Sequence, residues 1–175
     1  MANTLDNIVL VGPMGSGKTT VGRRLADELN LDFFDSDHEI TDKTGVSIEH
    51  IFDIEGEEGF RVRESQMLND LYQKTGAVIA TGGGIILRSE NRAILQQSGI
   101  VVYLVSSIEQ LLKRTAKSNN RPILEKSLDR EKTIRDILNE RGAFYRQVAT
   151  FEIDTTGKQL HEVIGAIKQY VQNTI

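Results

Sequence analysis

An α/β fold, a parallel sheet covered by helices on both faces, is the class that this sequence predicts. Three observations predict it. Short apolar runs alternate with segments of helical period, which implies βαβ units. The runs at 8–11, 77–80 and 100–105 are continuous rather than alternating, as strands buried on both faces require. The 175 residues match the length of one domain, usually about 100–200 residues, and can bury roughly 68–70% of the unfolded surface in a single core.

The elements follow in order. Ile8-Val-Leu-Val11 is a run bounded by Asn7 and Gly12 and reads as a buried strand. A glycine-rich turn leads to Val21, Leu25 and Leu29, spaced i, i+4, i+8, a helix. Phe33-Phe34 marks a short second strand; residues 77–80, 100–105 and 151–154 are further strands. Helical patterns lie near 57–74, 89–97, 107–115, 130–148 and 159–172. Two segments break the alternation. Residues 36–63 form a mostly helical insertion after the second strand. Residues 116–128 are polar without period, and a loop of that length in a compact domain suits a lid over a site.

Composition excludes several functions. Hydrophobic residues are 39% and charged residues 26%, with a net charge of −4 and no basic run of five or more, so no nucleic-acid footprint is expected. There are no cysteines, which removes disulfides, thiolate nucleophiles and cysteine zinc sites and fits a reducing, cytoplasmic setting. His38, His50 and His161 lack metal-ligand spacing. No signal peptide is visible at Met1 to Asn7, and no apolar run approaches membrane-spanning length, so no membrane partner is expected.

Gly12-Pro-Met-Gly-Ser-Gly-Lys-Thr19 matches the phosphate-loop pattern G-x-x-x-x-G-K-[ST]. The glycines let backbone N–H groups turn onto phosphate, and the helix that follows adds its unpaired donors and dipole. In such a loop Lys18 reaches the β- and γ-phosphates and the Thr19 hydroxyl takes Mg²⁺. A strand before and a helix after make a chance match to the pattern improbable.

Ligands of open α/β sheets bind at the carboxyl ends of the strands. After the second strand come Asp35-Ser-Asp37, where one carboxylate could hold a water on Mg²⁺ and the other an acceptor hydroxyl; alternatively, Asp37 or Ser36 caps a helix starting near His38. After the third strand comes Thr81-Gly-Gly-Gly84, either a close-approach wall with N–H donors or a plain flexible connection. Arg141 falls on the apolar stripe of Ile134, Ile137, Leu138, Tyr145 and Val148, where a buried cation needs an anion unless it snorkels. Arg61 shares a helix side with Glu64, Leu68 and Leu71, or pairs on the surface with Glu57. Arg121, in the polar segment, is either a mobile cation that closes on phosphates or a solvated loop residue.

Taken together, these motifs resemble those of shikimate kinase, from the first strand to about Asp154. They are Gly12 to Thr20, Phe34-Asp-Ser-Asp37, Glu55-Gly-Glu-Glu-Gly-Phe-Arg61 with Glu64, Ala80-Thr-Gly-Gly-Gly84, Asn120-Arg-Pro122, and Glu140-Arg141 with Tyr145 and Ala149. The resemblance implies a three-layer α/β/α P-loop kinase with five parallel strands in the order 2-3-1-4-5. It implies one domain over 1–175, with an acceptor-binding insertion at about 36–63 and a lid at about 116–128. It implies transfer of the ATP γ-phosphate to the 3-hydroxyl of shikimate, with Mg²⁺, in the route to aromatic amino acids, by a protein expected to be a monomer.

By similarity, Gly15, Ser16, Gly17, Lys18, Thr19, Thr20, Arg121 and Lys158 would bind ATP. Asp37, Arg61, Gly82, Gly83, Gly84 and Arg141 would bind shikimate. Thr19, and Asp35 through water, would hold the metal, while Lys18, Asp37 and Arg121 would carry the chemistry. Phe52 and Phe60 would wall the ring. Two departures stand out. The family's Arg-x-Pro-Leu-Tyr is here Arg141-Gly-Ala-Phe-Tyr145, so the helix can run on. Lys158 occupies an adenine-side position where some relatives carry another polar residue, and it can equally be a solvated loop lysine. The competing readings are another small-molecule P-loop kinase, such as a gluconate or nucleotide kinase, and a nucleotide switch; the Asn-Lys-x-Asp guanine motif of a GTPase is absent.

Overall fold

The structure is a computed structural model and describes residues 6–116, 122–125 and 127–175. The strands are β1 (Ile8–Val11), β2 (Asp32–Asp35), β3 (Ala77–Ala80), β4 (Ile100–Val105) and β5 (Phe151–Asp154). The helices are α1 (Lys18–Leu29), α2 (Ser36–Thr44), α3 (Ile48–Tyr72), α4 (Ser89–Gln97), α5 (Ile108–Thr115), α6 (Pro122–Glu125), α7 (Arg130–Val148) and α8 (Leu160–Thr174), with a 3-10 turn at Ile85–Leu87. All pairings are parallel and the strand order is β2-β3-β1-β4-β5, with Val9 opposite Ile79 on one side and Val101 on the other.

Strand periodicity splits the core into two layers. Val9, Val11, Ile79, Val101 and Tyr103 point to one face and pack with Leu68 and Leu71 of α3, Leu95 of α4, and Tyr145 and Val148 of α7. Ile8, Leu10, Val78, Val102 and Leu104 point to the other and pack with Val21 and Leu25 of α1 and Ile164, Ile167 and Val171 of α8. Consecutive residues of a strand face opposite sides, so the unbroken apolar runs feed both layers. This is the expected α/β/α sandwich, and the expected strand order. Among the described residues, no helix is long and apolar enough to cross a membrane.

The helices of the segment 36–63 do not coincide with its bounds. Its second helix is the start of α3, which runs on to Tyr72 through a bend at Gly56, the one residue in α3 with non-helical angles (φ 71°, ψ 179°). That region of backbone space is open essentially to glycine alone. Nor does the first insertion helix begin near His38: α2 starts at Ser36, capped by Asp35, whose Oδ1 accepts from the backbone N–H groups of Asp37 and His38. The capping role considered for Ser36 or Asp37 thus belongs to Asp35. In α7 the absence of proline lets the helix pass unbroken through Arg141 to Val148.

Candidate active site

The phosphate loop joins β1 to α1. Helix α1 starts after Gly17 (φ 93°, ψ 18°), and no side chain caps it. Its first N–H groups lie at the positive end of the helix dipole, which favours an anion there. Lys18 folds back over the loop: its Nζ donates to the carbonyls of Gly12 (2.7 Å) and Pro13 (2.9 Å) and to Ser16 Oγ (3.4 Å). These contacts hold an ammonium at the mouth of the anion site. Thr19 Oγ1 donates to Asp35 Oδ2 at 2.6 Å. Asp35 is thus used twice, one oxygen capping α2 and the other beside the loop hydroxyl.

With Asp35 as the cap, Asp37 is left with its side chain free of that duty. Its Oδ1 is buried and has no hydrogen-bond partner among the described residues. Burial first, then the neighbouring Glu64 and Asp35 carboxylates, push its pKa up to about 7, against the pull of Lys18 and Arg61. Glu64 Oε1 is a second buried oxygen without a hydrogen-bond partner among the described residues, and a side chain at Gly82 would run into both Glu64 Oε1 and Asp37 Oδ1. The two carboxylates therefore converge on one bare Cα.

Arg61 and Arg141 reach the same region from α3 and α7. Arg61 Nη1 donates to Glu64 Oε2 at 2.9 Å, and its Nη2 donates to Glu57 at 3.1 Å, so both partners considered from the sequence are engaged. The Arg61 side chain is 8% exposed and that of Glu64 1%, while Glu57 is 56% exposed, so the inner pair is the dry one. Arg141 is also buried, and its Nε lacks a hydrogen-bond partner among the described residues. It does not snorkel to solvent. Glu64 feels Arg61 and Arg141 together, which oppose the rise that burial imposes on its pKa. Glu64 and Glu57 both engage Arg61, while Arg141 faces Glu64 without a direct ion pair among the described residues, and a forked donor of this kind suits a further carboxylate.

The Thr81–Gly84 strip lies between these groups. Thr81 is fixed to β1 through Leu10 O, and the Gly82 N–H donates to Ser36 Oγ at 3.1 Å. Any side chain at Gly84 would overlap the Arg61 guanidinium. The strip is therefore a close-approach wall rather than a flexible joint. Phe52 and Phe60 stand with ring centroids 4.9 Å apart. One cleft of about 610 Å³ is lined by Gly15 to Thr20, Asp35, Asp37, Phe52, Phe60, Arg61, Gly82 to Gly84, Arg141 and Lys158.

A single cleft with this set invites comparison with known enzymes. The family model for shikimate kinase matches residues 14–172. A shikimate kinase of Thioalkalivibrio sulfidiphilus is 47% identical over 94% of this chain and 86% of its own. One from Alteromonas mediterranea is 49% identical over 92% of this chain and 94% of its own. The chain belongs to the shikimate kinase family.

Solved structures agree. Shikimate kinase from Acinetobacter baumannii, in complex with shikimate, superposes with a TM-score of 0.94 at 48% identity, covering 97% of this chain and 94% of that one. The enzyme from Bacteroides thetaiotaomicron gives 0.86 at 30% identity, over 95% and 98%. Within this family frame every residue expected to bind a ligand lines the one cleft, except Arg121, which lies outside the described residues. Lys158 lines the cleft beside Thr155, Leu160 and Val163, and its Nζ donates to Asp154 O at 2.6 Å. Sequence reasoning missed Arg114. It stands at the end of α5, donates to Gly15 O at 3.3 Å and lines the phosphate end of the cleft. Its only sequence signal is its place in the last turn before the polar segment, shared with Lys113. It also missed Ser36, whose hydroxyl anchors the glycine strip from below.

Proposed function

We propose that this member of the shikimate kinase family phosphorylates shikimate, transferring the γ-phosphoryl group of ATP to the 3-hydroxyl and releasing 3-phosphoshikimate and ADP. The observation that carries the reading is the shared cleft: a phosphate loop at one end, two buried arginines at the other, and Asp37 under the influence of both Lys18 and Arg61. A small carboxylic acid bearing hydroxyls meets these groups with its carboxylate on Arg61 and Arg141 and a hydroxyl on Asp37. Phe52 and Phe60 cover the apolar face of its ring.

In the transfer, a bond forms from the acceptor oxygen to the γ-phosphorus and the bond to the ADP oxygen breaks, while the hydroxyl proton passes to the Asp37 carboxylate. A loose phosphoryl transition state asks for alignment and charge neutralisation more than for a strong base. Lys18 and the N–H groups at the start of α1 supply the charge, and the arginine pair and the Gly82–Gly84 wall supply the alignment. A pKa of about 7 leaves Asp37 able to accept the proton near neutrality. Arg114 adds a cation at the Gly15 carbonyl beside the phosphates, and Lys158 stands where the nucleotide extends along α8. Arg121 takes its place in this reading as a cation closing over the phosphates.

Mg²⁺ is hard, takes oxygen ligands and keeps several waters. Thr19 Oγ1 and Asp35 Oδ2, side by side at 2.6 Å, are a donor set of that chemistry, with Thr19 as direct ligand and Asp35 acting through water. When bound, the ion neutralises charge on the β- and γ-oxygens. In this reading residues 1–175 work as one domain, in the cytoplasm, as a monomer, without nucleic-acid or membrane partners.

The test is an ADP-release assay with shikimate, gluconate and nucleoside monophosphates as acceptors. Turnover with shikimate alone is expected. Turnover with gluconate or a nucleoside monophosphate and none with shikimate would overturn the reading, as would slow hydrolysis indifferent to every acceptor.

A further inference from the structure

Tyr145 is the largest fully buried side chain among the described residues, and a phenol in a core needs a partner for its hydroxyl. The partner is not in its own helix. Tyr145 Oη donates to the carbonyl of Gly83, 62 residues away in the middle of the glycine strip. It also lies one helical turn after Arg141, so the two side chains share a face of α7. The Arg141 guanidinium lies beside the same phenol oxygen, and its positive charge opposes the rise of the phenol pKa that burial causes. The ring is fixed independently, stacked on Tyr103 of β4 with centroids 5.0 Å apart.

Gly83 has a second neighbour. A side chain at Gly83 would press on the backbone of the phosphate loop, within 3.1 Å of Met14 N and 3.5 Å of Gly12 O. The strip is therefore pinned at four successive points: Thr81 to Leu10 O, Gly82 N to Ser36 Oγ, Gly83 O to Tyr145, and Gly84 against Arg61. Three of these partners belong to the sheet, to the insertion or to the arginine pair. Among the described residues, the Tyr145 bond is the hydrogen bond that joins the strip to the helix that carries Arg141.

We propose that the Tyr145 hydroxyl is a positioning group for the acceptor: it aims the Arg141 guanidinium and fixes the Gly82–Gly84 wall against the phosphate loop. It touches no reacting atom. This rests on the acceptor being a small carboxylate held by Arg141, and the test separates the two ideas. Tyr145→Phe keeps the ring, its volume and its stack on Tyr103 and removes only the hydroxyl. The comparison variant is Val148→Ala, a buried residue of the same helix outside the cleft.

Both variants are expected to melt a few degrees below the parent. Tyr145→Phe alone is expected to raise the KM for shikimate about 5- to 20-fold, with kcat and the KM for ATP changed by less than about threefold. It is also expected to make Arg141→Lys less damaging in its background than in the parent, because the lysine no longer loses an aim that Tyr145 had set. A Tyr145→Phe enzyme with a shikimate KM within twofold of the parent, and additive with Arg141→Lys, would overturn the proposal.

A ligand-free readout keeps it testable whatever the acceptor proves to be. Amide hydrogen exchange at residues 82–85 is expected to speed up in Tyr145→Phe and not in Val148→Ala; equal exchange in the two also defeats the idea. If Tyr145→Phe does not fold, Tyr145→Met, a flexible filler without the hydroxyl, is put through the same measurements. Failure of the parent to use shikimate, with exchange at 82–85 changed as expected, would sink the acceptor assignment and leave the positioning role standing.

Discussion

Arg61 and Glu64 form a buried ion pair, Nη1 to Oε2 at 2.9 Å, in which the carboxylate keeps one oxygen unpartnered and turned toward Gly82 and Asp37. One residue therefore acts on both halves of the acceptor site. It holds the arginine, and its charge raises the proton affinity of Asp37.

Glu64→Gln separates these effects. The amide can still accept from Arg61 but no longer compensates its charge. The variant is expected to lose about 1–3 kcal/mol of stability, at the low end for a broken buried pair because the hydrogen bond survives. Its KM for shikimate should rise roughly tenfold. The acidic limb of its pH–rate profile should move to lower pH, since Glu64 is the strongest charge holding the Asp37 pKa up. Urea denaturation and initial rates across pH 5–9 check this.

Asp37 predicts two pH dependences of opposite sense. The parent kcat/KM should fall below about pH 7 as Asp37 takes up a proton. Stability runs the other way. The folded pKa of about 7 lies above the ordinary 3.8, so between those values the folded state binds more protons than the unfolded, and stability falls as pH rises. The destabilisation is complete above pH 7. Asp37→Asn should therefore be more stable than the parent by about 1–3 kcal/mol at pH 8, with the gain vanishing near pH 4. A large loss of kcat in that variant argues for proton transfer, a small one for orientation of the hydroxyl.

Asp35 is both helix cap and neighbour of Thr19, and Asn caps as well as Asp. Asp35→Asn should leave the melting temperature nearly unchanged while raising the Mg²⁺ concentration for half-maximal rate about 10-fold, the size typical of losing an outer-shell metal partner. Titration of Mg²⁺ at fixed ATP measures it.

Arg141→Lys replaces a fork with a point charge at a buried position. The KM for shikimate should rise about 10- to 100-fold, with a smaller change in kcat and no change in the KM for ATP. Steady-state kinetics with each substrate varied in turn decide it, and unchanged kinetics would remove Arg141 from the site.

Much of this was legible along the chain. The three inner strands β1, β3 and β4 were found as unbroken apolar runs because both faces of a parallel sheet are buried there, whereas the edge strands β2 and β5 carry acidic residues and were marked only by Phe33-Phe34 and by Phe151 and Ile153. Helix α7 was bounded at 130–148 because its stripe is long and regular. The phosphate loop was legible because its donors come from consecutive residues. The bend of α3 was not. Nothing local tells that Gly56 breaks helical geometry while Gly59, three residues on in the same Glu-Gly-rich run, does not. Nor did the sequence point to Asp35 as the cap of α2: it offered Ser36 or Asp37, and Asp and Ser both cap well.

The sequence by itself determined the fold class, the phosphate loop and, through its motifs, the kinship that links it to an acceptor. These depend on period and on contiguous residues. Only the tertiary structure decided the rest. It showed that Asp35 frees Asp37 from capping, that Arg61 pairs with Glu64 in the dry interior, that Arg114 reaches Gly15, and that Tyr145 holds Gly83. In the two local cases, Asp35 at the start of α2 and Arg61 with Glu64, several neighbours compete and the packing around them selects one; for Arg114 and Tyr145 the reason is distance along the chain. A hydrogen bond or a shared desolvated space between residues far apart in the chain depends on how the crossovers bring strand ends together, and no local pattern encodes that distance.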